Sequence, residues 1–300
     1  DGLGGISDSS QRLCMAIALW NGNDPILKER LFGVANEQGN HGEDVKEVYF
    51  HLDATPTHSY LKFLYKYPQR EYPYQHLVDE NRRRSRLEPE YELIDAGMFD
   101  DNRYFDILIE YAKADPHDVL MRVTATNRGP EPADLWLLPQ VWYRNTWAWD
   151  KGVMRPTMRY EGPGTLRLMH PDWTDYRLHY EYPHRPPSVV GDGSGNIPSS
   201  ATQRTRPDAT VSGEMRKPPV VLFTDNESNT PALFGIHETG YFKDGFDQHI
   251  IHHNKSAIHP DRVGTKVGFL QKVTLEPGES TRVKLRLRNL GLDPLTLAFA

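Results

Sequence analysis

The sequence has a single cysteine among its 300 residues, which excludes an internal disulfide. Cys14 lies in the apolar run 13–19, a setting typical of a buried thiol that packs as a small apolar side chain. No apolar segment approaches the roughly 20 residues that cross a membrane as a helix, and no signal peptide is recognisable. We therefore expect a cytoplasmic protein without a membrane partner.

The sequence also lacks an excess of positive charge. Its formal net charge is −6, which argues against a nucleic-acid partner, and the basic run 82–84 is typical of a solvated helix face. Hydrophobic residues make up only 38% of the chain, yet aromatic residues reach 11%. Aromatic rings must therefore do much of the burying, and a surface rich in rings suits a flat or ring-shaped ligand.

Signatures of several enzyme classes are missing from the sequence. It has no phosphate-binding loop, no nucleophile elbow and no dinucleotide fingerprint. Two groups of potential metal ligands occur, His41 with Glu43 and Asp44, and His249 with His252 and His253. Neither group has the spacing of a zinc signature, so we expect no metal and no cofactor.

What the sequence does have in quantity is alternation of apolar and polar residues with a period of two, which predicts half-buried strands. The predicted strands are residues 11–20, 26–34, 48–52, 61–67, 90–95, 103–114, 119–126, 134–143, 165–169, 176–182, 220–224, 232–236, 265–275 and 280–290. Turns rich in Gly, Pro and Asn join them, and the last two should form a hairpin. The pattern predicts a mainly β protein, a large antiparallel sandwich with one or two short helices and long loops.

Two interruptions of the strand pattern have different meanings. Residues 74–86 have the composition of a short helix that ends before Pro89. Residues 183–219 are poor in large apolar side chains and rich in Pro, Ser and Gly, which indicates a long surface loop or insertion without a core of its own. We expect residues 1–300 to form one sandwich domain that carries this insertion.

Two polar stretches are candidate binding sites. The loop 36–47 contributes Asn40, His41, Glu43, Asp44 and Lys46, and it is mounted on the end of two predicted strands. The second stretch contains three tryptophans in eight residues, and its candidates are Arg144, Asn145, Trp147 and Trp149. Aromatic faces with nearby Arg and Asn can bind a sugar, although such rings also serve as core or as a domain interface.

Carboxylates in the first loop raise the question of catalysis. Glycoside hydrolysis needs one protonated and one ionised carboxyl group on either side of the scissile bond. Glu37, Glu43, Asp44 and Glu47 are available for these roles, but acidic loop residues are commonly just solvated. We predict that the loop contacts a ligand and that none of these residues is catalytic.

Several short motifs are spread over nearly the whole chain. The longest are GNHGEDVKE at 39–47 and WYRNTW at 142–147, and the others are 31–33, 55–60, 66–68, 80–83, Asn226 with Thr230, 243–245 and 262–266. Together they resemble the N-terminal part of bacterial glucosidase-like proteins of glycoside hydrolase family 63.

The resemblance implies that catalysis lies in a different domain from the sandwich. In that family an N-terminal β-supersandwich packs against an (α/α)6 barrel that holds both catalytic carboxyls, an aspartic acid as general acid and a glutamate as general base. The reaction inverts the anomeric carbon, which requires carboxyls roughly 6.5–9.5 Å apart. This sequence has no run of paired helices, so we expect a piece of a longer bacterial protein, without the barrel and without catalytic residues.

The expected function is therefore that of a non-catalytic sandwich domain of an inverting α-glucosidase-type enzyme that acts on oligosaccharides. Its partners would be the missing C-terminal barrel and the carbohydrate substrate. Residues 36–47 and 144–149 should then be exposed, facing the barrel. The alternatives are a free-standing carbohydrate-binding module, a purely structural sandwich, and a self-sufficient enzyme or metal protein that uses His41, Glu43 and Asp44.

Overall fold

The computed structural model describes residues 2–34, 44–150, 152–181 and 217–290. Nearly all of the predicted insertion 183–219 lies outside these ranges, and so does most of the loop 36–47.

The described residues form sixteen strands and three α-helices. The strands are β1 Leu3–Ser7, β2 Leu13–Trp20, β3 Gly33–Val34, β4 Asp44–Val45, β5 Val48–Ala54, β6 Tyr60–Pro68, β7 Tyr104–Asp115, β8 Asp118–Asn127, β9 Ala133–Tyr143, β10 Thr157–Gly162, β11 Thr165–His170, β12 Trp173–Tyr180, β13 Val220–Thr224, β14 Val263–Gly264, β15 Lys266–Leu275 and β16 Ser280–Asn289. The helices are α1 Tyr74–Arg83, α2 Thr230–Phe234 and α3 Gly245–Ile250.

The strands build two large antiparallel sheets, which confirms the predicted fold class. The smaller sheet has five strands in the order β1-β2-β9-β15-β13, and the larger has nine in the order β14-β10-β11-β12-β16-β8-β7-β6-β5. Strands β3 and β4 form a separate short ladder. Neighbours in the chain are not always neighbours in a sheet, since β2 pairs with β9 and β8 with β16.

The main hydrophobic core lies between the two large sheets. Alternate side chains of each strand point into it, because successive residues of a strand face opposite sides. The larger sheet contributes the predicted inward set on β6 and β7, including Phe63, Tyr65 and Ile107. The smaller sheet faces them with residues such as Leu137 and Phe269.

The five-stranded sheet is buried on both faces over much of its area. Its outer face carries a second apolar cluster in which Leu138 and Leu222 pack against Phe246 and Ile250 of helix α3. Gly268 makes this close approach possible, since a Cβ there would lie 2.7 Å from Cδ1 of Leu138 and 3.0 Å from Cε2 of Phe246. Burial on both sides explains why β2 is a nearly continuous apolar run.

Two predicted strands are wrong, because local capping and packing override the alternation. Residues 90–95 form turns, and Leu93 packs with Leu77 of α1 in a small separate cluster. Residues 230–234 form helix α2 instead of a strand starting at 232. Asn229 caps its N-terminus through a bond from the amide of Ala232, and Gly235 adopts a left-handed conformation at its end.

The return strand predicted at 26–34 and the hairpin predicted at 265–290 are also wrong. Residues 26–34 make only a single bridge between Lys28 and Leu19 before reaching β3. Strands β15 and β16 belong to different sheets, so the turn between them crosses from one layer to the other. A turn that connects two sheets and a hairpin turn have similar local sequences. Whether two consecutive strands pair with each other depends on which other strands have an unpaired edge for them to join.

Strand β5 turns two of its apolar side chains away from the core. Phe50 and Leu52 are 46% and 49% exposed, whereas Tyr49 stacks on Phe63 with ring centroids 5.6 Å apart. Strand β5 is the last strand of the nine-stranded sheet, and its register shifts between His51 and Asp53. Phe50 pairs directly with Leu64, which lies on the face of β6 opposite the core residues Phe63 and Tyr65. The exposure of Phe50 therefore follows from the register with β6, and the edge position leaves that face uncovered.

A buried ion pair anchors the chain on either side of β3 and β4. The Nζ atom of Lys28 lies 2.7 Å from Oε1 of Glu47, and both side chains are almost completely buried. Glu47 also accepts hydrogen bonds from the hydroxyl of Tyr65 at 2.8 Å and the amide of Phe32 at 3.1 Å. The ammonium group sits 3.8 Å from the ring centroid of Tyr72. Burial raises the pKa of Glu47 despite the opposing attraction of Lys28.

Replacing Lys28 by Met should destabilise the fold by about 3–5 kcal/mol, because it leaves the carboxylate of Glu47 buried without its cation. Burial raises the pKa of Glu47 and Lys28 is the main influence that opposes this rise, so the loss of Lys28 raises the pKa of Glu47 further. The stability that protonated Glu47 contributes is present below the pKa of Glu47 in the unfolded chain. It is lost as the pH rises through the raised pKa of Glu47 in the folded chain. The deficit of the variant should therefore be larger at about pH 8 than at about pH 5.

Urea unfolding of both chains at the two pH values measures this difference. The matched control is Lys113→Met at the exposed end of β7, which should change stability by no more than about 0.5 kcal/mol. A Lys28→Met variant as stable as the control would contradict the assigned role of the pair.

Candidate functional site

An open groove of about 700 Å³ lies on the outer face of the five-stranded sheet, beside the area that helix α3 covers. Its floor is formed by side chains of β2, β9 and β15, and its walls by β1 and by the segments around residues 29, 226 and 243. The lining residues are Gly2, Gly5, Ile6, Ser7, Gln11, Cys14, Glu29, Arg30, Gln140, Trp142, Arg144, Asn226, Lys243, Asp244 and Lys266.

Strand register brings the floor residues together. On the outer face, Trp142 of β9 lies opposite Cys14 of β2 on one side and Lys266 of β15 on the other. Gln140 precedes Trp142 by two residues and therefore lies on the same face of β9. The intervening Val141 points into the core between the sheets, as alternation requires.

Trp142 provides an apolar surface in the groove. Its ring packs against the backbone of Gly2, where a Cβ would approach Cη2 to 2.9 Å and Cβ of Ala16 to 2.7 Å. A residue with a side chain at position 2 would push into the ring or lift the start of the chain from the sheet. The glycine therefore lets the first residues lie flat beside the indole.

Gln140 places an unused acceptor in the floor. The residue is 2% exposed, and its Oε1 atom has no hydrogen-bond partner among the described residues. A buried carbonyl oxygen without a donor costs about 1–3 kcal/mol relative to a satisfied one. A ligand hydroxyl that enters the groove could supply the missing donor.

An ion pair ties the floor to one wall. The Nζ atom of Lys266 lies 2.7 Å from Oε1 of Glu29 and 3.2 Å from the carbonyl oxygen of Lys243. Lys266 is 5% exposed, and its ammonium group is 4.8 Å from the ring centroid of Phe246. The pair fixes two segments that are far apart in sequence at the same edge of the groove.

Arg144 and Asn226 form one end of the groove. The side-chain amide of Asn226 donates to the carbonyl oxygen of Tyr143 at 2.9 Å, which holds Asn226 at the end of β9. Arg144 is exposed, and its guanidinium carbon lies 5.2 Å from the ring centroid of Trp149. Its Nη1 atom makes one long contact, 3.4 Å to the side-chain oxygen of Gln11.

The second predicted stretch lies partly in this site. Arg144 lines the groove, and Trp149, 71% exposed, stands beside it. Trp147 is half-buried against the core, and its Nε1 donates to Glu227 at 2.9 Å. Asn145 caps a turn by accepting from the amide of Ala148. The two ends of the stretch are thus exposed, and its middle residues are half-buried.

The first predicted stretch contributes little to the described site. Asn40, His41 and Glu43 lie outside the described residues, and the backbone of Asp44 pairs within the short ladder of β3 and β4. Lys46 is buried and is not among the residues that line the groove, and its predicted contact with a ligand stays a prediction.

Lys46 instead has a structural environment. Its Nζ lies 2.9 Å from Oε2 of Glu90 and 3.0 Å from Oε1 of Glu92. Burial opposes the charged form, but the hydrogen bonds to the two carboxylates outweigh it and raise the pKa of Lys46. The lysine therefore links β4 to the turns that follow helix α1.

Several groove residues escaped the sequence analysis, notably Glu29, Gln140 and Lys266. Strands β9 and β15 are apolar on both faces over much of their length, and Gln140 and Lys266 are polar residues on the outer of these faces. A polar residue that interrupts an apolar run of this kind is a sequence signal for a site. Cys14 was predicted to be buried, but it is half-buried and lines the groove.

The histidines near α3 do not form a metal site in the structure. His249 and His252 lie at the end of the helix and just beyond it, where His252 contacts Asp247 at 3.5 Å. Over the described ranges, no group of three or more His, Cys, Asp or Glu side chains is arranged to hold a metal ion.

In the same ranges, no helix combines the length and apolar character needed to cross a bilayer.

Comparisons with known proteins give one close relative in sequence. The chain is 38% identical over 316 aligned residues to the uncharacterized protein YMR196W of Saccharomyces cerevisiae. The match covers all of this chain and only 28% of the yeast protein's length. No model of a protein family matches. The relative is a yeast protein, so the expected bacterial origin finds no support.

Two solved structures align with the chain at low similarity. Polysaccharide lyase BACCELL_00875 aligns with a TM-score of 0.38 and 11% identity, over 94% of this chain and 26% of the lyase. A putative aldose 1-epimerase from Escherichia coli K12 aligns with a TM-score of 0.32 and 8% identity, over 80% of this chain and 67% of that chain. The resemblance to family 63 is not confirmed by these comparisons.

Alkylation of Cys14 tests the position of the groove. Partial burial raises the pKa of this thiol, because the thiolate loses hydration there. The pH midpoint of its reaction with iodoacetamide should therefore lie above the midpoint measured for the same chain unfolded in urea. The chain has no other cysteine, so one label per molecule reports on this site alone. A midpoint equal to that of the unfolded chain would mean that the thiol is fully solvated.

Proposed function

We propose that this chain is a non-catalytic sandwich domain that binds an oligosaccharide in the groove, as part of a larger inverting α-glucosidase-type glycoside hydrolase. The observation that carries the proposal is the floor of the groove. It presents an indole ring, an unpartnered buried amide oxygen and a fixed ion pair within a few residues of one another on neighbouring strands.

This combination matches the chemistry of a sugar. A pyranose has an apolar face of C–H groups, which packs on an aromatic ring, and an edge of hydroxyls, which need donors and acceptors. Trp142 supplies the ring, and Oε1 of Gln140 supplies an acceptor that gains its first hydrogen bond when a hydroxyl arrives. Because the groove is open along one side, it suits a unit of a chain as well as a single sugar.

The place of the domain in a longer protein has two supports. The chain spans only 28% of the length of its yeast relative. In addition, four of the motif segments that resemble family 63 meet at the groove, although they are distant in sequence. These segments supply Trp142 and Arg144, Asn226, Lys243 and Asp244, and Lys266.

The carboxylates of the groove are engaged in ways that suit binding more than acid–base chemistry. Glu29 is paired with Lys266 at 2.7 Å, and Oδ2 of Asp244 accepts from the side chain of Asn229 at 2.9 Å. We propose that the acid and the base of the reaction lie in the rest of the protein. A free-standing carbohydrate-binding module is the second candidate, because the exposed Trp149 beside Arg144 adds a second aromatic surface next to the groove.

Calorimetric titration of the chain with maltotetraose tests sugar binding. Replacing Trp142 by Leu should weaken binding by about tenfold or more, because the flat ring that covers the sugar face is lost. The control is Trp136→Leu on the same strand and face, where the ring packs on Trp20 outside the groove. Equal losses in the two variants would refute the assigned role of Trp142.

Assay of the isolated chain on α-glucosides tests the non-catalytic assignment. We expect no turnover of nitrophenyl α-glucoside or of maltotetraose, because the proposed acid and base lie elsewhere. Turnover that survives repurification would overturn this part of the proposal, while binding without turnover would support it. Turnover by the full-length protein then separates an enzyme domain from a free-standing binding module.

A further inference from the structure

The charge of the groove differs in sign from that of the chain as a whole. Its lining contains four cations, Arg30, Arg144, Lys243 and Lys266, and two carboxylates, Glu29 and Asp244. The complete sequence has a net charge of −6. An excess of positive charge therefore collects in one concave region of an otherwise acidic protein.

Three of these cations have no carboxylate partner among the described residues. Lys266 is neutralised by Glu29, whereas Arg30, Arg144 and Lys243 make no ion pair with any described residue. The guanidinium of Arg144 has only its long contact with Gln11 and its approach to the ring of Trp149. Arginine donors are arranged as a rigid fork that fits the two oxygens of a carboxylate or phosphate.

The floor adds a requirement that a bare anion does not meet. Oε1 of Gln140 is an acceptor, so it repels an anionic oxygen and is satisfied by a hydroxyl. The ring of Trp142 beside it needs an apolar face. A ligand that satisfies the cations, the acceptor and the ring together must carry a negative group on a hydroxylated ring.

We propose that the groove selects a sugar that bears a negatively charged group, with its ring on Trp142 and a hydroxyl on Gln140. Its carboxylate or phosphate then lies toward Arg144, Lys243 and Arg30. This inference rests on the proposed function and narrows it, since the oligosaccharide that reaches this domain would carry an anionic unit.

Protection of Cys14 from alkylation provides a readout at the site itself, because this thiol lines the groove and is the chain's only cysteine. The probes are digalacturonate, maltose 1-phosphate, maltose and inorganic phosphate. We expect the charged sugars to protect at concentrations about tenfold or more below that of maltose, and this preference should shrink as salt screens the charges. The first two probes distinguish a carboxylate from a phosphate ligand.

The double variant Arg30→Gln/Arg144→Gln should lose most of the preference for charged sugars, because its loss of affinity for them should be much larger than its loss of affinity for maltose. The control is Arg82→Gln/Arg86→Gln, which removes the same charge from exposed positions in and after helix α1 and should keep the preference. Calorimetric titration of the same variants checks that changes in protection reflect affinity and not a change in the thiol.

The outcomes separate the two proposals. Equal affinity for maltose and the charged sugars, or a preference that survives in the double variant, overturns the inference and leaves sugar binding intact. Protection by inorganic phosphate as strong as that by maltose 1-phosphate reduces the site to an anion site and also overturns it. Failure of every sugar to bind or protect defeats the proposed function and this inference together.

Discussion

Close packing of helix α3 on the outer face of the five-stranded sheet is the constraint on which the rest of the structure depends. A sheet in a two-layer sandwich normally has one buried and one solvated face. Here a Cβ at position 268 would lie 2.7 Å from Cδ1 of Leu138 and 3.0 Å from Cε2 of Phe246, so glycine lets the helix pack closely without displacing either side chain. The helix covers one end of the outer face, and the groove is the part it leaves open. The polar residues of the groove floor lie next to the area of the sheet that Phe246 and Ile250 of helix α3 cover.

The segment between β2 and β3 connects this groove to the buried interior. Its adjacent residues Lys28 and Glu29 point in different directions, the first to Glu47 in a buried cluster and the second to Lys266 at the groove. The amide of Leu27 is held by the carboxylate of Asp247 in α3 at 2.9 Å. The position of the groove wall is therefore set by contacts on both sides, although the segment itself contains little regular structure.

Function follows from what this arrangement leaves unsatisfied. Within the described residues, the groove pairs Lys266 with Glu29 and leaves an amide oxygen, a ring and three cations to a ligand. The motif segments that resemble a glycoside hydrolase meet there from distant parts of the chain. That convergence is why we assign binding to this face and place catalysis in the larger protein.

The sequence by itself determined most of the long strands, among them β6 and β7, because alternation is a local property that burial imposes on each strand. It could not determine which strands pair. The predicted hairpin of β15 and β16 failed because each strand finds its partner in a different sheet. It also could not assemble the groove, since Cys14, Trp142 and Lys266 become neighbours only through the register of three strands separated by more than a hundred residues. Such contacts depend on free strand edges and on packing between layers, which no local pattern encodes.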